Sequence, residues 1–74
     1  MIYTATVISY DGKLLNTLTV HADGFYQAAD RALAATAADA GHYHVDGVPD
    51  TSELRIIALI EGEVAINELL KLID

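Results

Sequence analysis

The four residues Tyr10-Asp11-Gly12-Lys13 constrain this chain more than any others. Asp-Gly is a favoured pair for a two-residue type I′ turn, whose central positions both have positive φ. Such a turn predicts a hairpin over residues 2–21 and sets its register. Tyr10 then faces Lys13, Ile8 faces Leu15, Thr6 faces Thr17, Thr4 faces Thr19 and Ile2 faces His21. On the other side Ser9 meets Leu14, Val7 meets Asn16, Ala5 meets Leu18 and Tyr3 meets Val20. Threonine pairs with threonine twice while the larger apolar set gathers opposite, as a half-buried antiparallel ribbon requires. A slip of one residue destroys both threonine pairs. The face carrying Ile2, Thr4, Thr6, Ile8, Tyr10, Leu15, Thr17 and Thr19 is expected to be exposed, and its apolar members form a candidate partner surface.

The stretch from His21 to Gly41 predicts a helix over 24–40, with Asp23 as N-cap and Gly41 as terminator. Its alanines are strong helix formers. The helical period puts Phe25, Ala29, Ala32, Leu33, Thr36 and Ala40 on the face toward the sheet. Gln27, Asp30, Arg31, Ala34 and Ala38 share the opposite face. Turn signals at Asp46-Gly47 and Pro49-Asp50 then mark a long connection. Residues 53–61, Glu-Leu-Arg-Ile-Ile-Ala-Leu-Ile-Glu, are close to a continuous apolar run, which fits an interior strand covered on both faces.

Residues 61–74 admit two readings. As a helix, Ala65, Ile66, Leu69, Leu70, Leu72 and Ile73 fall on one arc, with Glu63, Asn67, Glu68, Lys71 and Asp74 on the other and Val64 the exception. A strand period mixes Leu69 and Ile73 with Asn67 and Lys71. The expected fold is therefore a single α+β domain over 1–74, an antiparallel sheet with an N-terminal hairpin in ββαβα order, with ββαββ as the alternative. An apolar stripe on so short a C-terminal helix must be buried, which makes it a candidate homodimer contact.

Composition narrows the function classes. Seventy-four residues leave no room for a second core, and 53% apolar content is that of a globular chain. The absence of cysteine excludes disulfides, thiolate metal sites and a cysteine nucleophile. No apolar run approaches a membrane span, and Asp11 interrupts the N-terminal segment too early for a signal peptide, so a cytoplasmic protein is expected. Four basic against eleven acidic residues give a formal charge of −7. Phosphate binding needs a Lys/Arg footprint, and Lys13, Arg31, Arg55 and Lys71 do not make one, so direct nucleic-acid binding is not expected. An acidic domain suits instead a basic surface, including one that normally holds nucleic acid.

Catalysis has little to draw on. Ser9 and Ser52 sit in neither Gly-x-Ser-x-Gly nor Ser-x-x-Lys, no glycine-rich phosphate loop is present, and the carboxylates are scattered. No enzyme activity and no cofactor are expected. His42, His44 and Asp46 alternate, and in an extended segment they would lie on one side as ligands for a divalent transition metal. The pattern resembles the His-x-His-x-Asp signature of metallo-β-lactamase-like hydrolases, which use further histidines. Here His21 is the only other one. No metal is assigned, and the loop reads as a contact surface.

The hairpin SYDGKLLNTLTVHADG followed by the alanine-rich FYQAADRALAATAADAG resembles the opening of small, acidic, cysteine-free phage anti-CRISPR proteins that act on type I systems. The resemblance covers roughly the first forty residues. It implies a stoichiometric inhibitor in the bacterial host cytoplasm, docked on a subunit of a type I surveillance complex or on a Cas nuclease. Acidic side chains would there occupy lysine or arginine positions that normally hold phosphate. The partner-binding candidates are Asp30, Asp39, Asp46, Asp50 and Glu53, with Tyr43 beside them in the loop. Other expectations are an antitoxin-like regulatory subunit, since HicB-type antitoxins also pair a small sheet with a helix, a homodimeric module, and a small metal-binding protein.

Overall fold

A computed structural model describes residues 1–63. Strand β1 spans Ile2–Ser9, β2 Leu15–His21, helix α1 Phe25–Asp39 and β3 Leu54–Glu61. The three strands form one antiparallel sheet in the order β2-β1-β3, and α1 packs on one face of it. The architecture is α+β with β1-β2-α1-β3 order. The last element of the ββαβα expectation, and with it the candidate dimer helix, lies outside the described residues.

The hairpin register is the one the sequence dictates, from Ile2 opposite His21 to Ile8 opposite Leu15. The turn differs. No residue other than glycine has positive φ among the described residues, so Asp11 does not adopt the type I′ conformation, and only Gly12 is left-handed, at φ 75°. The Gly12 N–H donates to the Ser9 carbonyl at 2.9 Å, and the Ser9 N–H donates to the Leu14 carbonyl at 3.0 Å. The aspartate side chain explains the change. Its Oδ1 accepts the Ser9 hydroxyl at 2.6 Å and the Lys13 N–H at 3.0 Å, folding Asp11 over its own turn. A five-residue connection, Tyr10 to Leu14, replaces the two-residue one without moving the register.

Burial corrects two expectations. Thr4 and Thr6, expected on an exposed face, are each only 1% exposed. Both lie on the middle strand β1, on the face opposite Tyr3, Ala5 and Val7. Both hydroxyls are satisfied: Thr6 Oγ1 shares a hydrogen bond of 3.0 Å with Thr17 Oγ1, and Thr4 Oγ1 donates to the Gly62 carbonyl at 2.7 Å. Strand β3, expected to be interior, is instead an outer strand among the described residues. Its apolar run has another cause. The register shifts from Thr6 opposite Ala58 to Val7 opposite Ile56, leaving Ile57 as the extra residue of a bulge. The bulge swaps the faces, so Leu54 and Ile56 before it and Leu59 after it all join the core under α1.

Helix α1 also differs from expectation in its start and its rotation. Gly24, not Asp23, is the N-cap, and no side chain caps it; Gln27 Oε1 instead accepts the Asp23 N–H at 2.7 Å. The C-terminus is as expected. Gly41 is left-handed at φ 76°, its N–H donates to the Ala38 carbonyl, and the His42 N–H donates to the Ala37 carbonyl at 2.9 Å, the Schellman pattern. The buried stripe is Ala28, Ala32, Thr36 and Ala37, so the helix is turned relative to the expected Phe25, Ala29, Ala40 face, and Ala40 is exposed. With Ala5, Ala22 and Ala28 in the core beside Tyr3, Val7, Val20 and Leu54, backbone meets backbone closely. Thr36 sits on this face because its hydroxyl donates to the Ala32 carbonyl at 2.8 Å and accepts from Asn16 Nδ2 at 3.1 Å.

Candidate functional site

The up-down path of the chain decides what meets at each end. Strand β2 runs away from the hairpin turn and α1 runs back toward it, so the helix C-terminus, the loop 41–53 and the start of β3 gather around Tyr10–Lys13. The Tyr10 N–H donates to the Glu53 carbonyl at 3.0 Å, and the Arg55 guanidinium lies 5.6 Å from the centre of the Tyr10 ring. These contacts fix the hairpin turn against the loop.

The loop is held by its own backbone. Tyr43 and Pro49 form an isolated antiparallel bridge, the His44 N–H donates to the Val48 carbonyl at 2.8 Å and the Asp50 N–H to the His42 carbonyl at 2.8 Å. Gly47, at φ 86°, makes the reversal. Asp46 Oδ1 accepts the Val48 N–H at 3.1 Å, and Asp50 Oδ1 accepts the Ser52 N–H at 3.0 Å. The result is a small hairpin-like projection that carries apolar groups outward. Tyr43 is 52% and Val48 53% exposed, and Val45 is fully exposed.

His42, His44 and Asp46 do not converge as a metal triad. The Asp46 carboxylate serves the turn, while His44 Nε2 lies 3.7 Å from Asp50 Oδ1. Among the described residues, no three His, Asp or Glu side chains are placed to hold a metal ion. His42 instead lines two shallow hollows. One, of about 340 Å³, is bounded by Gly41, His42, Tyr43, Asp50 and Glu53. The other, of about 220 Å³, is bounded by Ser9, Asp11, Lys13, Leu14, Ala40, His42 and Glu53.

The acidic candidates divide. Asp39, Asp50 and Glu53 lie around this end of the sheet, and Asp46 is in the projecting loop. Asp30 is exposed in the middle of α1, about 13 Å along the helix from Asp39, and does not join them. Asp11, which is not among the partner-binding candidates the sequence suggests, does join them through the hollow it shares with His42 and Glu53. Its signal was available in the topology, since a helix returning from β2 must end beside the hairpin turn.

Two of these carboxylates are held below the ordinary carboxylate range. For Asp11 the largest cause is the Ser9 hydroxyl, followed by the Lys13 N–H, with nearby His42 adding a smaller contribution. For Asp50 it is the Ser52 side chain, then the Ser52 N–H, with His44 and His42 adding to them. A carboxyl whose folded-state value is depressed contributes stability at pH above its unfolded value, roughly 4, and loses it as pH falls through the lower folded value. Acid therefore loosens the hairpin turn and the loop together. In a carbon-detected NMR titration the Asp11 carboxyl is expected to titrate below the ordinary range, and Ser9→Ala is expected to move it upward. An Asp11 that titrates normally in the unaltered chain would remove this account.

Comparison with known proteins gives no match to a family model, to a curated protein or to a solved structure. Among the described residues no helix is long and apolar enough to cross a membrane.

Proposed function

We propose that this chain is a non-enzymatic binding protein that docks on a basic protein surface through the loop 41–53 and the hairpin turn beside it. One observation carries the reading. Asp46 and Asp50 lie in, and Glu53 at the base of, a projection that exposes Tyr43, Val45 and Val48, with Asp11 and Asp39 at the same end of the sheet. Exposed aromatic and aliphatic groups supply the burial that anchors an interface, and surrounding charge supplies orientation and fast association. A chain of net charge −7 meets its complement on a surface rich in lysine and arginine, of the kind that binds nucleic acid.

The likeness of the hairpin and alanine-rich helix to anti-CRISPR proteins supports a partner class. The proposed partner is a subunit of a type I surveillance complex or a Cas nuclease in the bacterial cytoplasm, and the proposed effect is to block target-DNA binding or nuclease recruitment. Asp46, Asp50 and Glu53 stand in for phosphate, and Tyr43 packs between them and the partner. Asp30 is outside this surface and is not needed.

The test uses purified type I surveillance complexes and labelled target DNA. The chain is expected to reduce DNA binding in proportion to its concentration and to lose this effect as salt rises. Combined Asp46→Lys and Asp50→Lys reversal is expected to weaken inhibition at least about tenfold, as lost or repelling charge pairs do at interfaces. The melting temperature is expected to fall modestly, since the reversal removes the turn bonds to the Val48 and Ser52 N–H groups and the approach of Asp50 to His44, while the buried core is untouched. Unchanged DNA binding at saturating protein overturns the anti-CRISPR reading. Inhibition that survives the double reversal overturns the assignment to this loop.

A further inference from the structure

Among the described residues the outer side of β2 has no partner strand, and the binding reading does not use it. In an antiparallel pair, residues bond alternately to the neighbour and away from it. Ser9 bonds Leu14 and Ala22 bonds Met1, so Leu14, Asn16, Leu18 and Val20 face β1. Leu15, Thr17, Thr19 and His21 therefore aim their backbone groups outward. The His21 carbonyl is taken by the Arg31 guanidinium. For Leu15, Thr17 and Thr19, no partner strand lies on that side among the described residues. Natural edge strands are blunted by charge, proline or a bulge, and Leu15–Thr19 has none of these.

We propose that β2 pairs with β2 of a second copy, antiparallel about a twofold axis at Thr17, to make one continuous six-stranded sheet. Leu15 then faces Thr19 of the other copy, and Thr17 faces itself, giving about six ladder hydrogen bonds. Charge selects a second copy as the occupant. Arg31 reaches the outer side of β2 at its His21 end, while Asp39 lines a hollow with Leu14, Leu15 and Asn16 at the opposite end. Arg31 and Asp39 are eight residues apart, about 12 Å along α1, and each reaches β2 at a different end. An antiparallel twofold brings the Arg31 end of each copy against the Asp39 end of the other. The two helices, each over its own sheet, lie about 14 Å apart at the strand spacing, within reach of an Arg–Asp pair. The paired stretch is itself uncharged, so a chain of charge −7 meets its copy there with the least repulsion.

Sedimentation equilibrium of the full chain tests this. The expected mass is twice 7.9 kDa at high protein concentration. Leu15→Lys, at a site already 54% exposed, is expected to raise the dimer dissociation constant at least about tenfold while circular dichroism stays unchanged. Asp39→Arg alone is expected to weaken the dimer and the pair Asp39→Arg with Arg31→Asp to restore it. Because the chain has no cysteine, Thr17→Cys provides a single probe, expected to form a disulfide-linked dimer on mild oxidation. A mass of 7.9 kDa at every accessible concentration overturns the proposal. So does a dimer that Leu15→Lys leaves intact and Thr17→Cys does not cross-link.

Discussion

Tyr3→Ala is expected to remove about 3–5 kcal/mol of the fold's stability. Tyr3 is only 2% exposed, lies on the middle strand opposite Val20, and packs edge-on against Phe25 with ring centres 5.0 Å apart. Truncating a buried aromatic ring to alanine costs about 3–5 kcal/mol, part lost transfer energy and part residual cavity. A domain of 74 residues has a total stability of roughly 4–11 kcal/mol, so this one side chain carries a large share. Its weight is greater here because the other buried apolar residues among those described are mainly alanine and valine, which bury little area each. Tyr3→Phe is the control. Among the described residues the hydroxyl reaches the Met1 sulfur, at 3.8 Å, and its loss is expected to cost under about 1 kcal/mol. Urea unfolding followed by far-UV circular dichroism separates the two variants. A Tyr3→Ala chain that unfolds within about 1 kcal/mol of the parent would show that the ring does not anchor the core.

The second large effect runs the other way, through volume added instead of removed. Ala32→Leu is expected to destabilise the fold by about 1–3 kcal/mol despite leucine's good helix propensity. Ala32 is fully buried on the face of α1 that meets the sheet, between Ala28 and Thr36. Three extra carbons there must push the helix off Ala5 and Val7 or disturb Thr36, whose hydroxyl links α1 to Asn16 of β2. The matching change on the outer face, Ala34→Leu, adds the same volume where Ala34 is only half-buried and is expected to be near neutral. Equal melting temperatures for the two leucine variants would contradict the close helix-sheet contact.

These contrasts mark how far the residues speak for themselves. The hairpin register was legible because two threonine pairs and an alternating apolar set agree on a single alignment. That alignment held even though the turn closed through the Asp11 side chain and not through positive φ. The helix stop at Gly41 was legible because a left-handed residue is needed there and glycine supplies it. The helix phase was not. Ala28 and Ala29 are chemically identical, so a run of alanines tells which residues can lie inward without telling which do. In the same way, threonines alternating with apolar residues in β1 looked like an exposed face, and the unbroken apolar run of β3 looked like a central strand.

The candidate site shows the same division. Asp39, Asp46, Asp50, Glu53 and Tyr43 could be singled out as an acid-rich segment following the helix. That Asp11 and His42 join them, and that Asp30 does not, depends on where the returning helix ends. By itself the sequence determined what is local: strand pairing across a short turn, the end of a helix, and the sign and density of charge along the chain. These depend on residues within a few positions of one another, whose geometry the backbone prescribes. Only the tertiary structure decided which strand lies in the middle, which side of the alanine helix is inside, and which distant carboxylates meet. Those follow from what each element finds on either side of it, and burial is set by neighbours that the local sequence does not contain.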